Sequence, residues 1–183
     1  MKIETERLIL RPFREEDLDD ELSIVGDADT MSFYRRPYTR EEVAGIIARN
    51  IETFEASGYG MFAVIDKQSG EYLGDCGITI QLIDGVEEFE VGYRIRKEKW
   101  GRGIAPEAAR AMIQYGFRDL GLAKLCSYMT KDNRQSRRAA EKAGMTLQKE
   151  YRNPRNRDLP TTVYAVYSQD VKVDAGETDS ASS

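Results

Sequence analysis

The stretch from Glu88 to Leu120 constrains the fold most, because its apolar period changes midway. Phe89, Val91, Tyr93 and Ile95 alternate with Glu88, Glu90, Gly92 and Arg94, a period of two that predicts a β-strand. Ala105, Ala108, Ala109, Met112, Ile113, Gly116, Phe117 and Leu120 then follow helical spacing, with Glu107, Arg110, Gln114 and Arg118 on the opposite face. Between the two runs lies the loop Trp100, Gly101, Arg102, Gly103, Ile104, Ala105. A glycine loop leading from a strand into a helix start makes an anion site. The first N–H groups of a helix lack intrahelical partners, and the helix dipole adds partial positive charge there. Glycine lets a phosphate approach the backbone closely. Lys99, Arg102 and Lys131 could add charge beside it. A glycine turn that merely joins strand to helix is the alternative. A nicotinamide site is a poor reading, since Pro106 occupies the third glycine position of that fingerprint.

Bulk properties narrow the class. A length of 183 residues predicts one domain over residues 1–170, followed by a small, polar tail over 171–183 that is expected to be disordered. Lys plus Arg is 27 and Asp plus Glu is 32, a net charge of −5. That argues against a dedicated nucleic-acid binder and mildly favours cationic substrates. The chain has no histidine, which removes Ser-His-Asp and Cys-His catalysis and any imidazole metal site; no metal is expected. Cys76 and Cys126 sit in strand-like apolar runs and read as small buried hydrophobes in a reducing cytosol. No apolar run reaches membrane-spanning length and no signal-peptide pattern opens the chain, so a cytoplasmic protein without membrane contact is expected.

In chain order, Arg7 to Phe13 reads as a first strand and Glu15 to Val25 as an acidic helix. Phe33 to Tyr38 is an irregular link whose aromatics either line a substrate mouth or pack. Thr39 and Glu42 fit a capping box for a helix with Val43, Ile46, Ile47, Ile51 and Phe54 on one face. Strands follow at 59–65, 72–82 and 87–96, with Asp84-Gly85 as a hairpin turn. The long helix runs to Leu120. A strand at 123–130 comes next, then a short helix at 134–143 capped near Asn133, and strands at 145–151 and 161–167 flank a polar loop. The strand–helix–strand unit is a right-handed crossover, so its two strands should be parallel or splayed neighbours.

The loop, together with Asn133-Arg134-Gln135-Ser136, Glu141 to Met145 and Thr5 to Phe13, resembles the Gcn5-related N-acetyltransferases (GNAT superfamily). Within them it is most similar to the RimJ/RimL-like ribosomal-protein-alanine acetyltransferase branch. Gly103 and Ala105 match the last two fixed positions of the superfamily signature, and Trp100 stands at the first, where the wider pattern has Arg or Gln. The resemblance implies an α/β fold: a mixed, mostly antiparallel seven-stranded sheet with helices on both faces. It would be splayed in a V between the strands ending at Arg96 and Thr130. It implies acetyl-CoA as co-substrate and direct transfer to a primary amine, such as a protein N-terminus or a small amine. It leaves room for a homodimer. A CoA-binding or sensory module without turnover is the alternative.

Carried over residue by residue, Trp100, Gly101, Arg102, Gly103, Ile104 and Ala105 would grip the diphosphate. Tyr93, Arg94 and Ile95 would offer backbone to the pantetheine arm, and one N–H there would stabilise the oxyanion. Gly92 suits the bulge at which that strand parts from its neighbour. Glu90 is the candidate base and Glu88 the reserve; either could instead be an exposed carboxylate or an ion-pair partner. The usual acid, a tyrosine, is replaced by Ala140, and Ser136 takes the role that a serine has in RimL-like members. Asn133 would hydrogen-bond the cofactor, cap the helix, or do both. Neutralising a lysine amine at pH 7 costs about 4.6 kcal/mol and an α-amine about 1 kcal/mol, so an α-amine acceptor demands less of the enzyme.

Overall fold

The structure, a computed structural model, describes residues 1–171. The expected tail falls almost wholly outside them. One mixed sheet carries β1 (Ile3–Glu4), β2 (Leu8–Pro12), β3 (Met61–Asp66), β4 (Tyr72–Ile83), β5 (Val86–Ile95), β6 (Lys124–Thr130), β7 (Thr146–Asn153) and β8 (Leu159–Tyr167). Their order is β1-β2-β3-β4-β5-β6-β8-β7. Only β5 and β6 pair in parallel; the other neighbours are antiparallel. The sheet therefore has eight strands, not the expected seven. The extra one is β1, whose two residues are too short to show an alternating pattern.

Helices α1 (Leu18–Val25) and α2 (Arg40–Ser57) cover one face, and α3 (Ile104–Arg118) and α4 (Arg134–Lys142) cover the other. The acidic helix expected from Glu15 opens instead with a 3-10 turn, Glu15–Asp17. Its cause is Asp17, which accepts from the Arg14 amide at 2.8 Å and from both Arg11 Nη atoms at 2.7 Å. The capping box of α2 forms as the sequence requires: Thr39 Oγ1 accepts from the Glu42 amide at 3.3 Å, and Glu42 accepts from the Thr39 amide at 2.9 Å. Asp84 and Gly85, both at positive φ, close the β4–β5 hairpin. Fully buried Ala108, Ala109 and Met112 press α3 onto the sheet. Gly116 lets it settle, since a Cβ there would lie 2.8 Å from Leu125 and 2.9 Å from Ile78.

The feature that positions the site is a parting of strands. β5 and β6 make a single bridge, Glu90 to Cys126, and then diverge. The parting needs no bulge at Gly92: the β4–β5 register runs unbroken through the Gly77–Gly92 pair. β6 is instead held by β8 along its whole length and turns with it. A Cβ built on Gly92 would lie 3.4 Å from Glu90 Oε2, so a methyl there would come into contact with the Glu90 carboxylate without displacing it. Among the described residues no helix is long and apolar enough to cross a membrane.

Candidate active site

Alternation along β5 sorts its residues into two kinds. Arg96 donates its amide to Leu73 on the β4 side at 3.0 Å. Backbone groups of even-numbered residues therefore face β4 and those of odd-numbered residues face β6. The odd carbonyls agree: Phe89 accepts from Cys126 Sγ, Val91 from Ser127 Oγ and Ile95 from Trp100 Nε1. Beyond the bridge to β6, the backbone of Tyr93 and the N–H of Ile95 thus look into the gap. Arg94 turns its backbone to β4, opposite Asp75, so of the three residues expected to offer main chain, the geometry leaves Tyr93 and Ile95.

On the α3/α4 side of the gap lies a cavity of about 340 Å³, lined by Tyr93, Ile95, Trp100, Gly101, Gly103, Ile104, Ala105, Asn133 and Ser136 among others. Gly101 and Gly103 hold φ of 76° and 78°, and Gly103 is the N-cap of α3 with no side-chain cap bond. The amides of Gly101, Arg102, Gly103, Ile104 and Ala105 donate to no acceptor among the described residues. Five unspent donors at a helix start suit a diphosphate. The indole N–H of Trp100 is spent on Ile95 O at 2.6 Å, which pins the loop to the end of β5. Arg102 is exposed outside the cavity lining, and its carbonyl accepts from Arg7 Nη1 at 2.9 Å. Lys99 pairs with Glu71 and Lys131 with Glu150, so neither is a free charge for the loop. Arg138 and Lys142 line the cavity beside Lys99 and have no carboxylate partner among the described residues. Sequence reasoning missed both, because a charge on an exposed helix face carries no signal of what it faces.

A clamp holds this loop. Glu107, on the first turn of α3, accepts from Thr5 Oγ1 at 2.6 Å, from the Arg7 amide at 3.0 Å and from Arg7 Nε at 2.7 Å. Burial works against its charge, but the bonds from Thr5 and Arg7 hold its pKa below the ordinary carboxylate range. Arg7 thus ties the N-terminal segment to both the loop and the helix start. Spacing placed Glu107 on the polar face of α3 but could not show its partner a hundred residues away.

On the α1/α2 side lies a larger cavity of about 810 Å³, and Glu90 is in its wall. Its carboxylate is half-buried and makes one hydrogen bond, from Thr79 Oγ1 at 3.3 Å. Burial pushes its pKa up to about 7, against the Thr79 bond and the charge of Arg94. Glu88 ion-pairs with Lys124 and lies outside this wall. The two cavities share Phe33, Tyr34, Tyr93, Arg94, Asn133 and Ser136. Asn133 Oδ1 caps α4 through the Ser136 amide at 3.1 Å, and the Ser136 carbonyl accepts from Tyr93 Oη at 2.8 Å. Among the described residues the Ser136 hydroxyl has no partner. Ala140 is fully buried. Cys76 and Cys126 are free and buried, and burial pushes the Cys76 thiol up and that of Cys126 to about 12, so neither is a ready nucleophile.

A split sheet, an open-amide loop on one side and a carboxylate tuned towards neutrality on the other describe a group-transfer enzyme that brings two substrates together through the gap. Residues 7–146 match the family described as "Acetyltransferase (GNAT) domain", and the chain belongs to it. It is an acyltransferase, and enzymes of this family use acetyl-CoA, for which the open loop amides are a fitting seat. YkkB of Bacillus subtilis, described as uncharacterized, is 32% identical over 152 residues, 82% of this chain and 88% of its own. A GNAT-family acetyltransferase from Bacillus anthracis superposes with TM-score 0.78 at 24% identity, over 92% of this chain and 99% of that one. RimL, a ribosomal L7/L12 alpha-N-protein acetyltransferase solved with coenzyme A, superposes with TM-score 0.75 at 18% identity, over 91% of this chain and 98% of that one. These two likenesses are of fold.

Proposed function

We propose that the protein transfers an acetyl group from acetyl-CoA to the α-amine of an amino acid or peptide, in the manner of the RimJ/RimL-like branch, and that it does so in the cytoplasm. The observation that carries this reading is the meeting of the two cavities where β5 and β6 part. The loop amides and the backbone of Tyr93 and Ile95 line one of them, and Glu90 lines the other. Bound acetyl-CoA supplies an activated acyl thioester. The loop 100–105 holds its diphosphate, and Tyr93 and Ile95 offer main-chain partners along the gap.

Glu90 Oε accepts the proton of the amine. A base with a pKa of about 7 is half ionised at neutral pH and still basic enough to take a proton from an α-ammonium with a pKa of about 7.8. A lysine amine would need several kcal/mol more, which favours the α-amine. Ser136 lines both cavities, its hydroxyl has no partner among the described residues, and it returns a proton to the leaving sulfur. RimL provides the analogy for a protein N-terminus. Two free, buried thiols fit a reducing compartment.

Calorimetry with acetyl-CoA, followed by thiol release with a panel of amines, tests the proposal. Micromolar to millimolar binding and turnover with α-amines are expected. No binding at millimolar acetyl-CoA ends the reading of the loop. Binding without turnover on any amine ends the assignment of Glu90.

A further inference from the structure

Resting on the reading of the Glu90 cavity as the acceptor site, we infer that the acceptor is a primary amine that also carries an anionic group, a carboxylate or a phosphate, received by Arg35 and Arg155. The charges in the wall are unequal. Glu90 is the one carboxylate among the lining residues, against four arginines. Two of these are already satisfied: Arg94 by Asp75, and Arg36 by Glu42 at 2.8 and 2.5 Å. Arg35 and Arg155 have no carboxylate partner among the described residues. The cavity is thus locally basic on a chain whose net charge is −5, and the mild preference for cationic acceptors suggested by composition is reversed where it counts.

Arg155 is not on a dangling loop. Asn153 Oδ1 accepts from its amide at 3.0 Å, and Asn156 Nδ2 donates to Phe33 O at 3.2 Å, which bridges the β7–β8 loop to the link after α1. Arg155 shares the cavity lining with Tyr128, whose phenol burial pushes up and the Arg155 charge opposes.

Two of the lining residues also carry side-chain oxygens turned away from the open space. Thr130, 8% exposed, leaves Oγ1 buried without a partner, and Asn156 leaves Oδ1 buried without one. Both atoms are sealed from solvent, so the groups an acceptor meets are the charged side chains of the wall. One carboxylate for the amine and a basic remainder fit an amino acid or an acidic peptide end. Polyamines and polycationic amines meet two unpaired guanidinium groups.

The test uses matched acceptors in a thiol-release assay. The small-molecule arm is the α-amides of glutamate, glutamine and lysine, which share an α-amine and differ in side-chain charge. The peptide arm is three peptide amides of equal length with the same N-terminal residue, followed by two aspartates, two glutamines or two lysines. The anionic member should lead the cationic one by about tenfold in kcat/KM, several-fold for each arginine, and the lead should shrink as salt rises. Arg155→Glu and Arg35→Glu should each cut or invert it, chiefly through KM. The arm with the larger lead identifies the source of the anion. Equal or better use of the cationic member by the wild type, or an unchanged ratio in both variants, overturns the inference while the transferase reading stands. If no amine turns over, that reading falls, and competitive binding of the same peptides to the enzyme still decides the charge preference.

Discussion

Glu90 and Glu21 both carry raised carboxyl pKa values, and burial is the largest cause in each, yet they serve opposite ends. Glu21 is 1% exposed beneath the sheet. Tyr72 Oη donates to it at 2.8 Å, the Arg94 guanidinium stands 3.6 Å away, and the buried Asp75 charge helps keep its proton on. Arg94 pairs with Asp75 through Nε at 3.1 and 3.0 Å, so one guanidinium is set between two buried carboxyl groups, of which burial pushes Glu21 towards its protonated form. Glu90 stands four residues before Arg94 on the same face of β5, has one hydrogen bond, and opens onto a cavity. A shifted pKa marks withdrawal from water; access decides whether the proton can be used.

The largest effect should come from the open carboxylate. Glu90→Gln is expected to lower kcat/KM by about 10²–10⁴-fold, the usual worth of a positioned general base, with the affinity for acetyl-CoA unchanged. Wild-type kcat/KM should rise with pH through about 7 as Glu90 ionises, and the variant should lose that limb. A full-activity variant removes the base assignment. The stability signature has the opposite sense. The folded pKa lies above the ordinary value of 4.5, so the folded state holds the proton more tightly. Glu90 therefore contributes stability below 4.5 that is lost as pH rises to about 7. Glu90→Gln should be more stable than wild type at pH 8 and should converge with it near pH 4, as read by denaturant melts.

The closed cluster should answer in stability. Arg94→Met leaves Asp75 buried without its guanidinium partner inside the sheet, which should cost about 3–5 kcal/mol. Adding Asp75→Asn should recover part of that loss, because the stranded carboxyl group is gone. A single variant as stable as wild type would show that water reaches the cluster and that it is not closed.

These two regions were unequally legible in the sequence. The strand–loop–helix unit, the hairpin at Asp84-Gly85 and the capping box at Thr39 are local patterns, and each formed where its residues predict it. The candidate base Glu90 could be named because a motif surrounds it. The cluster of Glu21, Asp75 and Arg94 could not, since it joins residues 54 and 73 positions apart through a sheet, and no period encodes such contacts. The same holds for Thr130, Asn156 and Arg155, which come together only when β6 and the β7–β8 loop frame one cavity. The bulge assigned to Gly92 failed for a related reason: a glycine inside a strand signals small size, and only the register shows whether the strand bulges there.

The cofactor side sharpens the comparison at smaller scale, since there a charge network is placed at the surface to hold a loop. Arg7→Ala removes the bond to the Arg102 carbonyl and the guanidinium's hold on Glu107, while the bonds from the Thr5 hydroxyl and the Arg7 amide to Glu107 remain. Hydrogen bonds to charged groups are worth about 1.5–3 kcal/mol, but the Arg7 side chain is 46% exposed, so about a fivefold rise in KM for acetyl-CoA is expected, with kcat nearly unchanged. Arg7→Lys keeps the charge without the fork, and should recover little. A loss in kcat rather than KM would move Arg7 from holding the loop to shaping the gap.

The smallest effect concerns the second proton. Ser136→Ala keeps the α4 cap, because Asn133 binds the Ser136 amide and not its hydroxyl, and it keeps the carbonyl that accepts from Tyr93. Only the hydroxyl is lost. A serine is a weak acid, so removing it should lower kcat by no more than about tenfold, below the usual span for a strong general acid. The loss should be largest with acyl donors whose thiol is least acidic and should fade as the leaving thiol becomes more acidic. A uniform loss across such a series would mean that the hydroxyl positions the donor. No loss at all would mean that the thiolate departs unaided, as the buried Ala140 in place of a tyrosine already allows.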